Sequence, residues 1–65
     1  MRLIKLKEVL HITGLSRSTV YRFMSAGGFP MKVDLGGNSV AWVESEVEDW
    51  INEKIGKRDT ALTVA

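Results

Sequence analysis

Sixty-five residues hold one domain at most, and one so small buries only about 60% of its unfolded surface, so large apolar residues must serve the core. With no cysteine, neither a disulfide framework nor a thiolate metal site is available. The net charge of +1 hides a split: residues 1–32 set Arg2, Lys5, Lys7, Arg17, Arg22 and Lys32 against Glu8, net +5, whereas residues 33–65 set Lys54, Lys57 and Arg58 against seven carboxylates, net −4.

That asymmetry lets one pole attract a polyanion while the other repels it. No apolar run approaches the ~20 residues of a membrane span, and the start lacks a signal peptide's apolar stretch. The chain is expected to be soluble and cytoplasmic, with no membrane partner.

Residues 1–5 read as extended. From Leu6, the positions Leu6, Val9, Leu10 and Thr13 follow i, i+3, i+4, i+7 spacing, one face of a helix. Gly14, free to adopt positive φ, breaks it. Ser16 is a natural N-cap for a second helix whose inward stripe is Val20, Phe23 and Met24. That helix stops at Gly27-Gly28, and Phe29-Pro30 imposes an extended exit.

The period then changes to two. Val33, Leu35, Val40 and Trp42 are expected on one face of a hairpin, with Lys32, Asp34, Ser39 and Ala41 on the other and the turn at Gly36-Gly37-Asn38. Ser45-Glu46-Val47-Glu48 has the S-x-x-E form of a capping box and opens a third helix with Val47, Trp50, Ile51 and Ile55 inward. Gly56 is expected to end that helix, with Lys54, Lys57 and Arg58 near its negative end. Residues 1–56 are thus read as one domain and 57–65 as a flexible tail. Helix, turn, helix, hairpin, helix is the order of a winged helix-turn-helix, mainly α with a small two-stranded wing.

In such a fold the second helix enters the major groove of duplex DNA. The residues left facing outward are Arg17, Ser18, Tyr21, Arg22 and Ser25. Arginine is the commonest reader of guanine, so Arg17, at the helix start, is assigned to a base edge and Arg22 to phosphate. Tyr21 suits a sugar or a thymine methyl, and Ser16 and Ser18 with the first helical N–H groups suit a phosphate. Lys32 and the hairpin tip, Gly37-Asn38-Ser39, would form the wing, although glycine and asparagine serve equally as residues chosen for turn geometry. Trp42 and Trp50 fall within apolar stripes and are expected in the core rather than as stacking platforms.

Other chemistry lacks its parts. His11 is the sole histidine, so a transition-metal site has too few ligands. Glu44, Glu46, Glu48, Asp49 and Glu53 crowd the solvent side of one helix, and no serine or threonine has a base beside it in the pattern. Leu35-Gly36-Gly37 is too short for a nucleotide-binding loop and precedes no helix. The expectation is a protein that is not an enzyme and uses no cofactor.

The chain also resembles the AlpA family of small phage- and prophage-associated regulators, related to excisionases and to the DNA-binding part of MerR-type proteins. The resemblance rests on Leu6-Lys7-Glu8-Val9, Thr13 through Arg22, Phe29-Pro30, Leu35-Gly36-Gly37 and Trp42 through Ile51, spanning roughly residues 3–56. It implies a winged helix-turn-helix that binds double-stranded DNA, as a prophage-type transcriptional regulator or as an excisionase directing an integrase. Ser16, Arg17, Ser18, Thr19, Tyr21 and Arg22 match the family's recognition-helix motif. The wing departs from it: Met31-Lys32 stands where a basic residue and proline are common, and Asn38 where arginine is frequent. Further expected partners are integrase or RNA polymerase, held by the acidic third helix, and other copies of the chain binding cooperatively.

Overall fold

A computed structural model describes the backbone of residues 1–64 and side chains through Thr60. In chain order the elements are β1 (Leu3–Ile4), α1 (Leu6–Thr13), α2 (Arg17–Ser25), β2 (Val33–Gly36), β3 (Ser39–Val43) and α3 (Glu44–Val64). Three helices thus accompany a small antiparallel sheet of order β1-β3-β2. The expected hairpin is present, and residues 3–4 join it as a third strand, with Leu3 opposite Val43 and Ile4 opposite Trp42.

The joint between α1 and α2 follows its local chemistry. Gly14 sits at φ 71° and donates its N–H to the Leu10 carbonyl at 2.9 Å, closing α1 in the left-handed conformation that a side chain resists. The Thr13 hydroxyl donates to the Val9 carbonyl and accepts from the Leu15 N–H, stiffening the three-residue turn. Ser16 then caps α2, its Oγ accepting from the Thr19 N–H at 3.3 Å. At the far end Gly28 N–H reaches the Phe23 carbonyl and Gly27 N–H the Met24 carbonyl, a Schellman closure with Gly27 at φ 78°.

One core gathers every layer. Ile4, Val9, Val20, Met24, Phe29, Trp42 and Val47 are buried together, with Leu6, Leu10, Leu15, Phe23, Trp50 and Ile51 packed around them. Trp42 is wholly buried and satisfies its Nε1–H on the Pro30 carbonyl at 3.2 Å. Trp50 donates to the Gly28 carbonyl at 2.6 Å and meets Phe29 edge-on, ring centroids 4.9 Å apart. Both tryptophans are structural, as their stripes predicted.

Three expectations need correction. The hairpin faces are not those of simple alternation, because an irregularity between Asp34 and Gly36 shifts the register by one residue. Val33 therefore stands opposite Ala41 and Asp34 opposite Val40, so Val33 does not share the face of Val40 and Trp42. All four residues of β2 are exposed.

The third helix also starts and stops elsewhere. It begins at Glu44, directly out of β3, which leaves Ser45 inside the first turn instead of at a cap. The Glu44 N–H continues the sheet by donating to the Arg2 carbonyl at 2.8 Å, and its carboxylate pairs with the Arg2 guanidinium. At the other end α3 passes through Gly56 to Val64, so the residues expected as a tail are helical as far as described; Ala65 lies outside the described residues. Gly56 costs a helix only about 1 kcal/mol against alanine, and good helix formers flank it. An ion pair from Glu53 to Lys57 at 3.5 Å bridges the glycine. The helix runs past the body and stretches the molecule to 49 Å, against 25 and 19 Å across.

Candidate nucleic-acid interface

Helix α2 turns Val20 and Met24 into the core and leaves Ser18, Arg22 and Ser25 facing outward, with Tyr21 on the same i, i+3, i+4, i+7 stripe but packed against the edge of the core. Ser18, Arg22 and Ser25 are exposed, and Tyr21 is half-buried. Arg17, in the first turn, is exposed as well. The outward stripe expected from the sequence is therefore formed on a helix held at both ends and along its inner face.

The hydroxyls divide into two groups. Ser16 Oγ is committed to the cap and lies 2.8 Å from Thr19 Oγ1 and 3.3 Å from Ser18 Oγ, a linked cluster at the start of α2. Thr19 is half-buried, so of these three Ser18 projects furthest onto the outward stripe. Ser25 stands apart, about one turn beyond Arg22 and two beyond Ser18.

The cations are arranged by aromatic rings rather than by carboxylates. The Arg17 guanidinium carbon lies 5.9 Å from the centroid of Tyr21, and Lys32 Nζ lies 5.4 Å from the same ring. Arg22 leans over Phe23 at 5.7 Å. Among the described residues the ion pairs are Arg2 with Glu44, Lys57 with Glu53 and Arg58 with Asp59. Arg17, Arg22 and Lys32 have no carboxylate partner among these.

Lys32 precedes β2, so its contact with Tyr21 places it at the root of the hairpin, against α2. The tip is separate. Gly37 and Asn38 form the two-residue turn, both exposed and both at positive φ, 56° and 64°. That is the backbone a tight hairpin turn of the I′ kind demands, and asparagine adopts it at small cost. Asp34 Oδ1 accepts the Gly36 N–H at 2.8 Å, which holds its carboxylate beside the turn.

One cation near the hairpin escaped the sequence reading. Lys5 Nζ donates to Ser39 Oγ at 2.6 Å, beside the tip. Only the pairing of β1 with β3 brings it there, and a two-residue strand leaves too little alternation to find.

Along α3, Glu46, Asp49 and Glu53 line an open groove together with Lys54 and with Lys57, which pairs with Glu53, and the other wall includes Met31 and Val33. Met31 is 61% exposed and Val33 37%, so this apolar surface is uncovered. No helix among the described residues is long and apolar enough to cross a membrane.

The family described as the prophage CP4-57 regulatory protein, AlpA, matches residues 2–55, which holds all of α1, α2 and the sheet. The chain belongs to the AlpA family. Its relatives include an uncharacterised protein, ORF88, of Enterobacteria phage P4, 47% identical over 57 residues. That match covers 88% of this chain and 65% of the phage protein, so the chain spans just under two thirds of that relative. A second relative is AlpA of Escherichia coli (strain K12), a DNA-binding transcriptional activator. It is 32% identical over 60 residues, covering 83% of this chain and 86% of AlpA. AlpA proteins are regulators, not enzymes.

Proposed function

We propose that the chain is a winged helix-turn-helix regulator, acting in the cytoplasm, that binds double-stranded DNA in a sequence-specific manner as part of prophage gene control. The observation that carries this reading is the outward side of α2: Arg17, Ser18, Tyr21, Arg22 and Ser25 stand on a helix locked to the core, and neither arginine has a carboxylate partner among the described residues. Cationic and hydroxyl side chains on a rigid, unshielded helix are what groove and phosphate recognition require. The activator named among the relatives supports the same class of partner.

In this reading Arg17 meets a base edge, Arg22 a phosphate, Ser16, Thr19 and Ser18 the strand near the start of α2, and Ser25 its far end. Gly37 and Asn38 present the wing's backbone to the duplex. Selection of binding sites from a random duplex pool, followed by fluorescence anisotropy at several salt concentrations, tests it. A recovered consensus bound at least 1,000-fold tighter than random duplex is expected, on the order of the usual specificity ratio. Equal affinity for all duplexes, or none at low salt, overturns it.

A second reading has its own observation. The acidic rim formed by Glu46, Asp49 and Glu53, beside exposed Met31 and Val33, suits a basic protein surface. It would let the chain hold an integrase as an excision factor, hold RNA polymerase, or hold a neighbouring copy on adjacent DNA sites.

A further inference from the structure

Two cations from different elements converge on one ring. Arg17 opens α2 and Lys32 precedes β2, yet both lie within 6 Å of the Tyr21 centroid, at 5.9 and 5.4 Å. Their charges are therefore at most two ring-to-cation lengths apart. Neither pairs with a carboxylate among the described residues. The negative face of an aromatic ring attracts a cation, so one ring orients both side chains.

The ring itself is fixed. Tyr21 is half-buried and meets the buried Trp42 edge-on, centroids 6.5 Å apart with planes at 77°. Trp42 belongs to β3, the central strand, and is anchored to the Pro30 carbonyl two residues before Lys32. A single packed line thus joins the outward side of α2, the central strand and the hairpin root.

We propose that Tyr21 is a positioning residue that joins Arg17 and Lys32 into one DNA-contacting unit, with Arg17 on a base edge and Lys32 on a neighbouring phosphate of the same strand. The inference rests on the DNA-binding reading above and adds to it. Lys32 then works with α2 on the strand beside the recognition helix, not with the tip residues Gly37 and Asn38. Because one ring orients both side chains, the two cations contribute together. A positioning role also demands the ring and not the hydroxyl, because it is the ring that both cations approach.

Anisotropy titrations of the full chain on one duplex, over a salt series, test the unit. The variants are Arg17→Ala, Lys32→Ala, the double Arg17→Ala/Lys32→Ala, Tyr21→Phe and Tyr21→Leu, with circular dichroism as the folding control. The double variant is expected to lose several-fold less affinity than the product of the two single losses. Tyr21→Phe should retain that coupling, and Tyr21→Leu should abolish it while weakening binding to that duplex about tenfold. Single losses that multiply in the wild-type background overturn the proposal, as does Tyr21→Leu binding like wild type. Should Tyr21→Leu not fold, the coupling between the two exposed cations, measured with the wild-type ring, decides alone. Wild-type protein that binds no duplex at low salt brings down the DNA reading instead, which keeps the two failures distinct.

Discussion

At the scale of single residues, the two arginines of α2 should fail differently. Arg17 sits at the helix start, where a guanidinium can make a bidentate contact with guanine worth about 1–3 kcal/mol of discrimination. Arg22 lies on the outward stripe further along, suited to phosphate. Arg17→Ala is expected to narrow the affinity gap between the consensus duplex and a base-substituted one roughly tenfold or more. Arg22→Ala should weaken both duplexes alike and lower the slope of log affinity against log salt by about 0.9, the signature of one lost phosphate contact. Competition titrations at three salt concentrations separate the two patterns. Gly14 carries a structural prediction. A Cβ there would touch nothing within 4 Å, so Gly14→Ala suffers only the backbone penalty of φ 71°. That penalty is about 1–2 kcal/mol, read by denaturant titration followed through Trp42 and Trp50 fluorescence.

At the scale of elements, what the sequence made legible was whatever local chemistry determines. The ends of α1 and α2 follow from Gly14 and Ser16, whose φ preference and hydroxyl act within a few residues. The stripe Ser18, Tyr21, Arg22, Ser25 follows from helical spacing alone. What escaped depends on pairing across the chain. The third strand exists because Ile4 meets Trp42, 38 positions away, and no period marks a strand of two residues. The inverted face of β2 comes from one unpaired residue beside Gly36, which alternation cannot register. The convergence of Lys32 on Tyr21 likewise needs α2 and the sheet already packed. Gly56 misled for another reason: glycine ends helices at positive φ, but here it lies inside α3, and its Cβ position faces open space. Gly56→Ala should therefore stabilise α3 by about 0.5–1 kcal/mol and raise helical ellipticity at 222 nm. A substitution that lowers ellipticity would show that the helix stops at residue 56 in solution.

Across the whole molecule the charge split becomes spatial. The unpaired cations Arg17, Arg22 and Lys32 gather on and beside α2, whereas Glu46, Asp49 and Glu53 rim the groove along α3. DNA would draw in the first surface and repel the second, which leaves the carboxylates of α3 free to meet a cation outside the DNA face of a neighbouring copy, such as exposed Lys7. Exposed ion pairs are worth about 0.2–1 kcal/mol each, so two or three between neighbours would favour the second copy by roughly twofold to a hundredfold. A single module of this size also buries only about 600–1,000 Å² on DNA, which makes such help from neighbours matter. On a duplex bearing two adjacent sites, sedimentation analysis is expected to find the doubly bound complex enriched over independent binding. The charge-reversed variant Glu46→Lys/Asp49→Lys should lose that enrichment while binding a one-site duplex no more weakly than wild type. If enrichment survives the reversal, the acidic rim does not face a neighbouring copy. An unchanged one-site affinity combined with lost regulatory activity in cells would then assign the rim to a different protein, integrase or polymerase.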